Sequence, residues 1–171
     1  AEIDLNKHFD KLDIIFHQAA ITDTTVFDEK IMMFNNIDGF RNVLNFALKS
    51  EAKLIYASSA ATYGHSLPPM IVGNNEIPAN IYGISKLETD KIARENFDKL
   101  HIVGLRYFNV YGPGEKYKGK MASMIWQLYL QIKEGKKPKI FKYGEQKRDQ
   151  VYVKDIVNAN LLAQNSKKSG I

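Results

Sequence analysis

Tyr82 and Lys86 stand four residues apart, and Ser58 and Ser59 lie upstream, Ser59 by 23 positions. On a helix, residues i and i+4 share a face, so the phenol and the amine can reach one ligand. A phenol of unperturbed pKa about 10 is a poor base at neutral pH, and a neighbouring ammonium favours its phenolate. Lys86 is the candidate cation. A hydroxyl at the end of the preceding strand, from Ser59 or Ser58, would hydrogen-bond the same substrate oxygen and fix its position. The chemistry these types allow is a proton relay that turns an alcohol into a ketone. Tyr-x-x-x-Lys alone is common by chance, and it gains specificity from the strand and the SSAATYG run (58–64) ahead of it.

Holding these groups together requires strands that end where the polar residues begin. LDIIF (12–16) is a short apolar run of the type buried on both faces of a sheet, and it ends in the turn HQAA. From Asp28 to about Ser50 the period becomes helical, with Ile31, Phe34, Ile37, Val43, Leu44 and Ala47 on one side. KLIYASS (53–59) is the next strand, Tyr82 to about Phe97 a helix, and HIVGLRYF (101–108) a third strand. The loop NVYGPGEKYKGK, the helix MASMIWQLYLQIKEG, the segments PKIF and QVYV, and a closing helix KDIVNANLLAQN follow. Strands separated by helices predict an α/β fold with a doubly wound parallel sheet, whose ligands collect at the carboxyl ends of the strands. The chain opens almost directly on a strand and stops where a further one is expected, so an internal portion of a longer protein is expected.

Composition narrows the classes. No run approaches the roughly 18 apolar residues of a membrane span, and the start shows no signal peptide, so a cytoplasmic protein without a membrane partner is expected. There is no cysteine, and His8, His17, His65 and His101 have no i+4 partner, so no metal site is expected. A hydrogen-bonded structural role is expected for His17. The net charge of +5 is spread over helices and loops, apart from Lys133, Lys136, Lys137, Lys139 and Lys142, which argues against nucleic acid and suits a small phosphorylated ligand. GEKYKGK (114–120) fits G-x-x-x-x-G-K, but Met121 stands where a phosphate loop needs a magnesium-binding hydroxyl. The stripe of Trp126, Leu128, Tyr129 and Ile132 has helical spacing and predicts core or subunit packing.

FHQAA, NNIDGFRNVL, YASSAATYG, YGISK, LRYFNVYGP and KRDQVYVKD, in this order, resemble the successive motifs of the extended short-chain dehydrogenase/reductase family of nucleotide-sugar epimerases and dehydratases. The resemblance implies a truncated Rossmann-like sheet with the start of a smaller substrate-binding region. The expected division is a nucleotide-binding part over 1–108, a substrate-binding loop, helix and strand over 109–150, and a return over 151–171. It also implies that Ser59, Tyr82 and Lys86 are catalytic, that Ala19, Ala20 and Asn36 lie along the cofactor with Tyr82 and Lys86, and that Phe108 approaches its nicotinamide.

Within the family, RYFNVYGPGEKYKGKMASM is most similar to the branch acting on ADP-glycero-manno-heptose. That implies inversion of C6 by transient oxidation, with NADP, or else NAD, as the bound cofactor. Lys118 would be the second base, with Lys116 an alternative because Gly114 replaces the branch's usual Arg. Besides Ser59, the substrate would meet Asn109, Phe141 and Arg148, a forked cation suited to a diphosphate. A UDP-hexose 4-epimerase and a binding module on a dead epimerase fold stay open as other readings. The expected partner is a nucleotide-diphosphate sugar, and the full-length form is expected to be a homo-oligomer.

Overall fold

A computed structural model describes residues 3–25 and 28–171. Three strands, β1 (Ile14–His17), β2 (Lys53–Ser59) and β3 (Ile102–Tyr107), form a parallel sheet in the order β1-β2-β3. The register sets Ile15 beside Leu54, and Leu54 beside Ile102. Beyond β3, Gly170 makes a parallel bridge to Val103, with its N–H on the Ile102 carbonyl at 3.0 Å. The central β2 reads as a two-sided buried strand because Leu54, Ile55 and Tyr56 are fully buried. LDIIF departs from that reading. The strand starts only at Ile14, and Phe16 is 41% exposed. Successive side chains alternate faces, so Ile15 packs on the core while Phe16 points to the other side of a strand that pairs, among the described residues, with β2 alone.

The helix expected over 28–50 is broken in phase. Asp28 caps it by accepting the Ile31 N–H at 3.1 Å, α1 runs over Glu29–Met33, and α2 over Gly39–Ser50. Between them Phe34–Asp38 form a π turn. Met32, Asn36, Phe40 and Leu44 are buried at a spacing of four, with Phe46, Ala47 and Ser50 buried further along, whereas Ile31 and Phe34, expected on the core side, are exposed. A π turn holds an extra residue, so spacings of four stay in line where a 3.6-residue period predicts drift. Phe40, Leu44 and Ala47 pack with Leu54, Tyr56, Ile102 and Ala93, the last on α3 (Ile81–Arg94).

The chain divides into two compact units, residues 1–107 with 159–171, and residues 108–158. In the second, the segment expected as a loop after β3 contains β4 (Asn109–Tyr111), which pairs in parallel with β5 (Gln150–Tyr152) and stacks Tyr111 on Tyr152. A 3₁₀ stretch over Glu115–Met121 precedes α4 (Met124–Lys133), and α5 spans Val153–Ala163. PKIF is irregular, since Pro138 donates no ladder hydrogen bond and no described strand lies alongside. Nor does α4 make a core: none of its residues is buried, and Tyr129 and Ile132 are exposed.

Gly104 is needed where β3 passes Tyr56. A Cβ there would lie 2.6 Å from the ring and hydroxyl of a side chain that has no room to move. Gly104→Ala is expected to cost about 1–3 kcal/mol by overpacking, seen as a lower urea midpoint, while Gly39→Ala, with helical backbone and no atom near the added carbon, lacks that cost.

Candidate active site

Ser59 is the last residue of β2 and caps the 3₁₀ turn Ala60–Thr62 by accepting the Ala61 N–H at 3.1 Å. Its hydroxyl is also near enough to the Tyr82 phenol to oppose part of the rise in pKa that burial imposes there. Tyr82 is placed by the start of α3, where Asn80 caps the helix by accepting the Gly83 N–H at 2.8 Å. Gly83 lets this first turn approach the strand end, because a Cβ would sit 2.6 Å from the Ala61 carbonyl oxygen. One turn on, the Lys86 amine lies 6.0 Å from the Tyr82 ring centroid and donates to the Ala57 carbonyl at 2.8 Å. The three side chains thus converge at the carboxyl end of β2. The Ser58 hydroxyl is buried and has no hydrogen-bond partner among the described residues.

The electrostatics differ from the simple expectation. Burial raises the Tyr82 phenol above its ordinary pKa, and the Ser59 hydroxyl opposes that rise. Lys86 is itself lowered to about 8 by burial, which the Asp90 charge partly offsets. His17, at the end of β1, is lowered to about 4, first by burial and then by the Lys86 charge. Its ring lies 5.8 Å from that of Phe40, and no hydrogen bond to its side chain, expected from the sequence, is found among the described residues.

Ala19 is exposed and Ala20 half-buried just beyond β1, where small side chains leave the backbone open to a ligand. Asn36, in the π turn, is buried and otherwise engaged. Its amide accepts the Ile21 N–H at 2.8 Å and donates to the Ile21 carbonyl and the Ser85 hydroxyl, each at 3.0 Å. Gln18, Tyr107 and Asn160 close a triangle that sequence reading missed: Asn160 donates to the Tyr107 hydroxyl at 2.6 Å, which donates to Gln18 at 2.9 Å. The polar tips of β1 and β3 in an α/β pattern are the signal that pointed there.

The other expected residues lie in the second unit. Asn109 donates to the Asp149 carbonyl at 3.0 Å, Arg148 to the Lys147 carbonyl at 2.7 Å, and Phe108 and Phe141 are exposed. Lys116 and Lys118 are exposed on the 3₁₀ stretch. At the start of that stretch Glu115 is buried, accepting the Gly112 N–H at 2.9 Å and the Ser123 N–H at 2.6 Å. Among the described residues no group of acidic, histidine or cysteine side chains could hold a metal.

A parallel sheet with a serine, tyrosine and lysine at the carboxyl end of one strand is an arrangement able to relay a proton at a bound alcohol, and a family comparison identifies its class. The profile described as Epimerase, NAD dependent epimerase/dehydratase family, matches residues 2–171, and the chain belongs to that family. It is 43% identical to an ADP-L-glycero-D-manno-heptose-6-epimerase of Brachyspira hyodysenteriae, over 94% of this chain and 53% of that protein. The crystal structure of the ADP-L-glycero-D-manno-heptose-6-epimerase of Helicobacter pylori superposes with a TM-score of 0.89 at 48% identity, covering 93% of this chain and 51% of the other. A UDP-glucuronic acid 4-epimerase of Bacillus cereus, in complex with UDP-glucuronic acid and NAD, matches with a TM-score of 0.83 at 29% identity over 98% of this chain and 54% of its own. The chain therefore spans about half the length of the relatives it matches.

His17 gives this site a pH signature. Its folded pKa of about 4 lies below the ordinary 6.5, so between these values the unfolded state binds the proton and the folded state does not. Its share of stability is complete above about pH 6.5 and is lost as pH falls toward about 4, up to roughly 3 kcal/mol. Urea midpoints across that window are expected to fall less steeply in His17→Gln than in the parent. Equal slopes would place the titration elsewhere.

Proposed function

We propose that the full-length protein is a nucleotide-sugar epimerase that inverts C6 of ADP-glycero-manno-heptose by transient oxidation. The observation that carries this reading is the convergence of Ser59, Tyr82 and Lys86 at one strand end. The two heptose-epimerase relatives, at 43% and 48% identity, support the substrate.

The residues present fit a dinucleotide. Ala19 and Ala20 leave the end of β1 open, and the Lys86 ammonium has donors beyond the one given to Ala57. These three, with Tyr82, would hold it along the strand ends, with Asn36 fixing the loop they follow. When bound, the cofactor supplies reversible hydride acceptance at the sugar carbon. NADP is the proposed form, by resemblance to the heptose epimerases, and the NAD in the Bacillus cereus relative makes NAD the competing arm of any binding titration.

Ser59 holds the C6 oxygen by a hydrogen bond, and Tyr82, as phenolate, takes the hydroxyl proton. The Lys86 ammonium opposes the burial that keeps the phenol protonated, by stabilising the phenolate. Inversion needs a second proton carrier on the other face of the ketone, and Lys118 is the proposed one. Asn109 would hold the sugar, Arg148 the diphosphate and Phe141 the base. The Bacillus cereus relative favours a second reading, a UDP-sugar 4-epimerase using the same Ser59, Tyr82 and Lys86.

Two measurements test the proposal in the full-length protein. Tyr82→Phe is expected to lower single-turnover oxidation of ADP-heptose about 100-fold or more with cofactor affinity nearly unchanged, and retention of more than about a tenth of the rate would sink the relay. Lys118→Met is expected to slow one C6 epimer more than the other. Equal loss from both epimers, or loss confined to Lys116→Met, would reassign the second base.

A further inference from the structure

Asp90 lies one turn beyond Lys86 on α3 and is fully buried. Its carboxylate accepts the Tyr56 hydroxyl at 2.8 Å and the Arg106 Nε and Nη2 at 3.1 and 2.7 Å. Arg106 in turn pairs with Glu76, from the segment between Ser59 and Tyr82, and lies 4.7 Å from the Tyr63 ring centroid. Lys86, 5% exposed, therefore carries its charge among the Ala57 carbonyl on β2, Tyr82 and Asp90 on its own helix, and His17 on β1. Of these, Asp90 is the anion. Burial alone disfavours an ammonium, so an amine at this depth keeps its proton near neutral pH only with a counter-charge.

We infer that Asp90 is a positioning residue for the relay: locked by Tyr56 and Arg106, it is the buried counter-charge that keeps Lys86 protonated, and so sets the alkaline limit of catalysis. The inference rests on the proposed role of Lys86. It goes further by naming the group that decides when Lys86 is an ammonium. The sign follows from the charges. Burial pulls Lys86 down and Asp90 pulls it up, so removing the carboxylate lets burial act unopposed. Lys86 then deprotonates at lower pH, and the phenolate of Tyr82 loses its cation there.

The experiment reads Lys86 directly by NMR of its side-chain Cε in the full-length protein without substrate, assigned by Lys86→Arg, alongside the pH profile of kcat/KM. Asp90→Asn is expected to lower the Lys86 midpoint by enough to cut the protonated-to-neutral ratio about tenfold at a given pH, and to move the alkaline limb of kcat/KM with it. Asp90→Glu, which keeps the charge, should restore most of the shift. Glu76→Gln and Tyr56→Phe loosen the same network without removing the Asp90 charge, and should leave the midpoint unlowered and unraised. A purely structural role predicts the opposite: each loosened variant admits water and raises the midpoint toward the ordinary lysine value. A raised or unmoved midpoint in Asp90→Asn overturns the inference. Should that variant not fold, a raised midpoint in Glu76→Gln or Tyr56→Phe overturns it, and an unmoved one in both supports it. A lowered midpoint with an unmoved activity profile would instead overturn the role of Lys86 in the relay while leaving its pairing with Asp90 intact.

Discussion

The carboxylate of Asp90 joins three elements that share no covalent neighbourhood. It sits on α3, accepts from Tyr56 on β2, and pairs with Arg106 on β3. Taking a carboxylate out of water costs several kcal/mol, and three directed donors offset that cost only while all of them are in place. Tyr56 is a dependable donor because burial, followed by the adjacent carboxylate, holds its phenol protonated. The geometry is thus specified at both ends: Ser59 lies three residues beyond Tyr56 on the strand, and Tyr82 and Lys86 lie two turns and one turn before Asp90 on the helix.

The same network explains why a long polar excursion between Ser59 and Tyr82 does not blur the site. Glu76 ties that excursion back to Arg106 and accepts the Gly73 N–H at 2.7 Å, while Gly64 bridges Ile77. The Ser66 hydroxyl adds a hydrogen bond to the Asn75 carbonyl. The segment can therefore expose Leu67 and Ile71 to solvent while its two ends stay fixed. An analogous closure operates in the second unit, where Glu115 gathers the Gly112 and Ser123 amides and holds the lysine-bearing stretch between them.

Much of this was legible from local pattern. β2 was read to the residue because KLIYASS carries apolar residues on both faces before its two serines, and α3 was read to within one residue at its start and about three at its end from its period. The grouping of Ser59, Tyr82 and Lys86 followed from those two elements. Asp90, Arg106 and Glu76 were not legible: each reads as an ordinary surface charge, and only the pairing of β2 with β3 brings them together. The π turn was hidden because a helix is read with one fixed period, so Ile31 and Phe34 were placed on the wrong side. The apolar stripe of α4 shares one face as read, and periodicity reports which residues share a face and not what covers it.

The extra residue in that π turn resembles a dislocation in a lattice. In a uniform helix such a defect can be passed along one residue at a time, because each position is equivalent to the next. Here it is pinned: the Asn36 side chain is held by both backbone groups of Ile21 and by Ser85, and these partners exist at one height only. Moving the defect by one residue would turn Asn36 by about 100° and break all three bonds together. The α1–α2 segment accordingly has a fixed phase mark, against which the loop after β1 and the first turns of α3 are both aligned.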